Sequence, residues 1–200
     1  LPEWASPGHR DCMVGNNSAS IVADAWLSGA RGHYDIATLY QAALHGAENA
    51  HPSIGSVGRK GAKEYLELGY VPRDIGINES AARTLEYAYD DWCIWRLAVD
   101  LKRPQEEIDR FAKRCQNYRN LFCPKAGLMS GRNKDGSFDK DYNPFKWGGD
   151  FTEGCGWHYS WAVFHDVQGL IGLMGGRDAF AAKLDEVFTL PPVFDESYYR

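Results

Sequence analysis

The sequence predicts an all-α fold of the α/α-toroid type, the (α/α)6-barrel class, with about three helical hairpins present. The first observation is that apolar residues recur with a helical period through almost all of the 200 residues. The second is that the connections between predicted helices alternate between short and long. Helices joined by short turns run antiparallel, so both long connections emerge at the same end of the fold.

Six main helices are expected, in three pairs, with a further short amphipathic piece at about Gly61 to Leu68. The six are about Ser18–Ala30, Asp35–Asn49, residues 79–101, Pro104–Asn120, Trp157–Met174 and Asp178–Phe188. In the last two pairs the first helix has a broad apolar surface and the second a narrow stripe. An inner helix therefore alternates with an outer one.

Short polar residues and one proline justify where three of these helices begin. Asn17 or Ser18 suits the N-cap of the first helix, and Asp35 suits that of the second, because both carry short polar side chains. Pro104 suits the first turn of the fourth helix, where no backbone N–H is needed.

The two long connections cover residues 50–78 and 121–156. Long ordered loops in a compact domain are usually functional. Within the second connection, Lys134-Asp135-Gly136 is typical of a turn, so residues 127–138 predict a small β-hairpin. We expect residues 1–200 to be part of one toroid domain, with no second domain in the chain.

Composition excludes several classes of protein. A net charge of -5 without a run of Lys or Arg argues against a nucleic-acid partner. No stretch approaches the roughly 20 apolar residues of a membrane span. Five cysteines, an odd number without CxxC spacing, argue against a zinc site and a complete disulfide framework. Seven tryptophans suit sugar stacking or a large helical core.

Glu153 is the first candidate for chemistry, because it lies among aromatic residues just before the fifth helix. The helix dipole would favour its ionised form, whereas desolvation by neighbouring aromatic rings would favour the protonated form of a general acid. Glu153 could instead simply cap the helix, and the residues alone leave this open.

The remaining candidates each have a structural alternative. His158 and His165 are expected on one face of the fifth helix, as hydrogen-bonded histidines more than as a metal pair. Asn16 and Asn17 can cap the first helix or bind sugar hydroxyls. Arg132 can hold Asp135 or a ligand.

Three carboxylates, Glu86, Asp90 and Asp91, are expected inside the third helix. Buried carboxylates require partners. Arg83 and Arg96 are the nearest candidates along the chain, so structural ion pairing is the expected role.

Five segments carry a resemblance to a known family. They read LPEWASPGHRDCMVGNNSASIVADAW, GYVPRD, LEYAYDDWCIWRLA, NYRNLFCPKAGLMSGRNKDGSF and DFTEGCGWHYSWAVFHDVQGLIGLMGG. In this order, over nearly all 200 residues, they resemble glycoside hydrolase family 92. The resemblance implies an inverting, calcium-dependent exo-α-mannosidase that acts on mannose-containing glycans outside the cell or in the periplasm.

The resemblance also assigns roles. Glu153 matches the glutamate of the family's TEG motif, its general acid. On this interpretation Trp157 and His158 shape the pocket, and Arg132 and Asn17, which the residues themselves suggest, are further candidates for substrate binding. Family members join an N-terminal β-sandwich to the (α/α)6 domain and are considerably longer. We therefore expect the parent chain to supply that sandwich, the rest of the toroid and the general base.

Cys155, Gly156 and His158 replace the family's usual Asn, Ala and Gln after TEG. Contacts that those residues make, including any to calcium, are therefore unassigned, as are the calcium ligands and the linkage specificity. The alternatives are a sugar-binding toroid without catalysis, or another toroid enzyme such as a polysaccharide lyase, which uses a Tyr or His base.

Overall fold

A computed structural model describes residues 14–15, 17–50, 58–193 and 195–200. Within these residues the chain forms eight α-helices and one pair of two-residue strands, which confirms the all-α prediction. The elements are α1 (Ser18–Leu27), α2 (Ile36–Glu48), α3 (Ala62–Leu68), α4 (Ser80–Asp100), α5 (Gln105–Arg114), β1 (Phe122–Cys123), β2 (Leu128–Met129), α6 (Gly156–Tyr159), α7 (Val167–Leu173) and α8 (Arg177–Val187).

The chain divides into two compact units. Of the described residues, those within 1–69 and 86–117 form the first unit, and those within 70–85 and 118–200 form the second. The expectation of one domain without a second stays a prediction. Among the described residues, no helix is long and apolar enough to cross a bilayer.

The first unit has a core of small, aliphatic and aromatic side chains from α1, α2, α4 and α5. Its buried members are Ala19, Ala23, Tyr40, Ala43, Leu44, Ala47, Cys93, Ile94, Leu97, Ala98 and Phe111. Asp35 caps α2 as predicted, since its carboxylate accepts the Ala37 N–H at 3.0 Å. Asn17 occupies the N-cap position of α1, but its side chain makes no capping hydrogen bond.

A buried ion cluster joins α3, α4 and α5 in this unit. Asp91 accepts hydrogen bonds from Arg59 Nη1 at 2.7 Å, from Arg114 Nε at 2.9 Å and from the Tyr65 hydroxyl at 2.9 Å. The prediction of structural ion pairing is confirmed for Asp91. The predicted partner was wrong, because Arg96 is exposed and lies over the Trp92 ring instead.

Glu86 differs from its neighbours on α4. Arg83, its predicted partner, pairs with Glu79 at 3.1 Å. Glu86 is only partly buried, and burial together with nearby Asp90 raises the pKa of its carboxyl to about 7. The predicted Arg83–Glu86 pair was therefore wrong.

The second unit contains the β1–β2 pair, in which Phe122 lies opposite Met129. The predicted turn at residues 134–136 also forms, flanked by one antiparallel bridge between Arg132 and Phe138. The two-stranded hairpin therefore turns at residues 124–127, upstream of the predicted turn at residues 134–136. The predicted turn closes a separate short loop that one bridge holds.

The predicted fifth helix is broken into α6 and α7, and this part of the prediction was wrong. Asp166 ends the break because its carboxylate caps α7, accepting the Gly169 N–H at 2.9 Å. The same carboxylate accepts the Tyr118 hydroxyl at 2.6 Å. Since His165 lies in the break, it does not share a helical face with His158.

The two long connections meet in this unit, as predicted. The Arg73 N–H donates to the Arg132 carbonyl at 2.9 Å, and the Tyr70 hydroxyl donates to the Asn133 carbonyl at 2.9 Å. The Lys134 N–H donates to the Asp74 carboxylate at 2.8 Å. Loop residues from both connections are therefore held beside the start of α4.

Candidate active site

Glu153 lies at a cleft of about 610 Å³ that Trp147, Glu196 and Tyr199 also line. This volume is within the range of small-molecule sites. The cleft combines two carboxylates with two aromatic rings that each carry a polar group. Such a surface suits a ligand with apolar faces and hydroxyl edges.

The backbone around Glu153 has an unusual conformation. Glu153 has a φ of 47°, in the left-handed region that few residues other than glycine adopt. Hydrogen bonds on both sides hold it there: Gly148 N–H donates to the Gly154 carbonyl at 3.0 Å, and the Tyr159 hydroxyl donates to the Thr152 carbonyl at 2.8 Å. Strain of this kind costs on the order of 1–3 kcal/mol and clusters at functional sites.

Asp150 anchors the Glu153 loop to the start of α4. Its carbonyl accepts the N–H groups of Ala81 and Ala82 at 3.0 and 3.1 Å. Its carboxylate accepts from Arg73 Nε at 3.0 Å. Gly131 packs so closely that a Cβ there would lie 2.4 Å from the Asp150 carboxyl carbon. The loop that carries Glu153 therefore contacts the first turn of α4 directly.

The far wall of the cleft comes from the last residues of the chain. Asp195 joins the segment before Glu153, with its N–H donating to the Phe145 carbonyl at 3.0 Å and its carbonyl accepting the Trp147 N–H at 2.8 Å. This pairing brings Glu196 and Tyr199 next to Trp147. Sequence reasoning missed all three, because the pairing joins residues nearly fifty positions apart.

Trp157 and His158 lie on α6, directly after the Glu153 loop. Trp157 is buried in a core cluster with Leu128 and Cys155, so Trp147 is the tryptophan that lines the cleft. His158 is exposed, and its ring meets Trp147 edge-on with 5.3 Å between ring centroids. The predicted substrate contacts of Trp157 and His158 stay predictions.

Arg132 holds its own loop together. Its Nε donates to the Gly136 carbonyl at 2.7 Å and its Nη1 to the Asn120 carbonyl at 3.2 Å. Asp135 accepts from Ser137 instead, so the suggested Arg132–Asp135 pair was wrong. A ligand contact by Arg132 stays a prediction. Asn17 is exposed in the first unit, and Asn16 lies outside the described residues.

A metal centre is not assembled by the part of the chain that the structure describes. No three of its His, Cys, Asp and Glu side chains cluster closely enough to hold an ion. Its four described cysteines, Cys93, Cys115, Cys123 and Cys155, are buried and form no disulfide with one another. Calcium prefers six to eight oxygen ligands. The described His, Cys, Asp and Glu side chains do not by themselves fit such a site.

Comparisons with known proteins agree on one family. The model of the glycosyl hydrolase family 92 catalytic domain matches residues 1–198. A family GH92 inverting mannosidase from Bacteroides thetaiotaomicron is 44% identical with a TM-score of 0.88, and the match covers 100% of this chain and 27% of that one. A family GH92 alpha-mannosidase from the same bacterium, solved with mannoimidazole, is 34% identical with a TM-score of 0.85, covering 98% and 25%.

A curated relative, an uncharacterized secreted glycosidase from Arthroderma benhamiae, is 28% identical over 201 residues, or 86% of this chain and 26% of the relative. The chain thus spans about a quarter of the length of these relatives. Solved structures of the family have a helical toroid, which confirms the predicted architecture. This chain belongs to glycosyl hydrolase family 92 and forms part of its catalytic domain.

Proposed function

We propose that the protein is a glycosidase that removes terminal α-linked mannose from glycans, with inversion of anomeric configuration. The observation that carries the proposal is Glu153, an exposed carboxylate that a hydrogen-bonded loop holds at an aromatic-walled cleft in this family's domain. The mannosidases among its relatives support the choice of sugar.

Glu153 is proposed to be the general acid. It would donate its proton to the glycosidic oxygen as the leaving sugar departs, while water attacks the opposite face of the mannose ring. The structure lets this side chain reach a ligand, since it is exposed on the cleft. The general base is assigned to none of the described residues.

Trp147 and Tyr199 are proposed to form the walls against which the sugar ring packs. Both rings present an apolar face together with one polar group, which suits a ring that has apolar faces and hydroxyl edges. Glu196 adds acceptors for sugar hydroxyls on the same cleft.

Calcium dependence is a separate proposal that only the family resemblance supports. Because the described residues do not gather an oxygen cluster, no step of the mechanism is assigned to the ion. Action outside the cell or in the periplasm is likewise proposed, supported by the curated relative described as secreted.

The direct test is mannose release from an α-linked mannobiose by the full-length protein, with the anomer identified by NMR before mutarotation. The proposal expects β-mannose as the first product. Tight retention on mannan without any release would instead identify a sugar-binding toroid. An unsaturated sugar formed from a uronic-acid polysaccharide would identify a lyase.

A further inference from the structure

We propose that Cys155 is a positioning residue of this site: it holds His158 in the tautomer whose proton is on Nε2, so that His158 presents a hydrogen-bond donor to a sugar hydroxyl. The tautomer follows from the contacts between the two residues. The sugar contact rests on the function proposed above.

The two residues are joined by a reciprocal set of contacts at the start of α6. The Cys155 backbone N–H donates to His158 Nδ1 at 3.3 Å, and the Cys155 Sγ lies 3.1 Å from the same nitrogen. In return, the Cys155 sulfur accepts the His158 backbone N–H, completing a capping box.

These contacts fix the polarity of the imidazole. A backbone N–H can only donate, so the His158 Nδ1 that receives it must offer a lone pair. The Cys155 thiol is also able to donate to that lone pair, while its sulfur accepts from the backbone. A neutral imidazole with an acceptor at Nδ1 carries its proton on Nε2.

Burial makes Cys155 suited to this task. The Cys155 side chain is buried in the core beside Leu128 and Trp157, whereas His158 is exposed. The thiol therefore faces Nδ1 from the protein side, and Nε2 is the other ring nitrogen, separated from Nδ1 by one carbon. The edge-on contact between His158 and Trp147 then ties the orientation of this ring to the wall of the cleft.

Two substitutions at the same position separate polarity from helix capping. Ser and Asp are both strong N-caps, so each should preserve the start of α6. A serine hydroxyl donates and accepts as a thiol does. An aspartate carboxylate only accepts and carries a negative charge. In Cys155→Asp this charge competes with the backbone N–H that remains at residue 155, and it should draw a proton onto His158 Nδ1.

The readout is the ¹⁵N NMR spectrum of the His158 ring in the full-length protein, recorded without substrate. We expect wild type and Cys155→Ser to show an unprotonated Nδ1 and a protonated Nε2, and Cys155→Asp to show a protonated Nδ1. The wild-type spectrum is sufficient by itself to identify the tautomer. The test therefore remains valid even if a variant fails to fold. A protonated Nδ1 in the neutral wild-type ring would overturn the proposal.

Activity provides the second readout. We expect kcat/KM for mannobiose to fall about tenfold in Cys155→Asp, the effect of losing one hydrogen bond, and less in Cys155→Ser. Equal losses in the two variants, with different tautomers, would overturn the sugar contact. If wild type released no mannose while its tautomer was as proposed, the proposed function would fail and the assignment of the tautomer would stand.

Discussion

The guanidinium of Arg114 donates two hydrogen bonds to the carboxylate of Asp91, from Nε and from Nη2, each at 2.9 Å. The Asp91 side chain is 0% exposed. Arg59, which precedes α3, donates to the same carboxylate at 2.7 Å. Removing one partner of such a buried pair leaves an uncompensated charge.

Asp91→Asn should therefore lower the free energy of unfolding by about 3–5 kcal/mol, measured by urea denaturation. The matched control is Arg31→Gln, which removes the ion pair between Arg31 and Asp100. The Arg31 side chain is 50% exposed and the Asp100 side chain is 35% exposed. That change should cost no more than about 1 kcal/mol. Equal losses for both variants would mean that burial does not set the strength of the pair.

Asp166 decides where α7 begins. Asp166→Ala removes the cap on the Gly169 N–H and the acceptor for the Tyr118 hydroxyl, so it should cost about 2–3 kcal/mol in urea denaturation. Asp166→Asn keeps a capping side chain and should lose less. Asp178→Ala, in the first turn of α8, should lose under about 1 kcal/mol. An Asp166→Ala loss no larger than that of Asp178→Ala would contradict this role.

Glu86 should make stability depend on pH. Its pKa rises from an ordinary 4.5 to about 7 in the folded protein, so the folded state holds this proton more tightly than the unfolded state. The stabilisation is complete below about pH 4.5 and is lost as the pH rises towards 7. Glutamine is neutral at every pH. As the pH rises from about 4.5 to about 7, the free energy of unfolding of Glu86→Gln should therefore increase relative to that of wild type, by on the order of 1–3 kcal/mol.

The measurement is the free energy of unfolding at a series of pH values for wild type and Glu86→Gln. Glu67→Gln, on an exposed position of α3, is the control and should run parallel to wild type. A Glu86→Gln curve that also runs parallel to wild type would show that Glu86 ionises at the same pH in both states.

Chelation tests the calcium proposal. Because calcium binding is proposed for the whole enzyme, EDTA should abolish mannose release by the full-length protein, and added calcium should restore it. Magnesium is the control, since its smaller octahedral shell fits a different site. Full activity after exhaustive chelation would remove calcium from the account.

Local chemistry made much of the fold predictable from sequence. Asp35 caps α2 because a short carboxylate suits the free N–H groups of a first turn, and the helical period gave α8 to within a residue or two. The break at Asp166 also had a local signal, an aspartate three residues before Gly169. It was outweighed by the apolar period of the flanking residues.

Contacts between distant residues were not predictable in the same way. Asp91 takes Arg59 and Arg114, 32 and 23 positions away, over the nearby Arg96. Glu153 lines the cleft and could be named as a candidate because its motif is local in sequence. Glu196 and Tyr199 reach the same cleft only through the pairing of Asp195 with the Trp147 segment. The helical period of apolar residues does not indicate which distant residues will contact each other.

The central claim is that Glu153 donates a proton to the leaving sugar. The most direct test compares Glu153→Gln with Glu196→Gln, a matched change on the same cleft, using two α-mannosides with poor and good leaving groups. For the poor leaving group, Glu153→Gln should lower kcat by about 10²–10⁴-fold. A dinitrophenyl mannoside releases dinitrophenolate, a leaving group that departs without a proton. For this substrate the loss of kcat should be much smaller. An equal loss on both substrates, or a leaving-group dependence found in Glu196→Gln instead, would contradict the assignment.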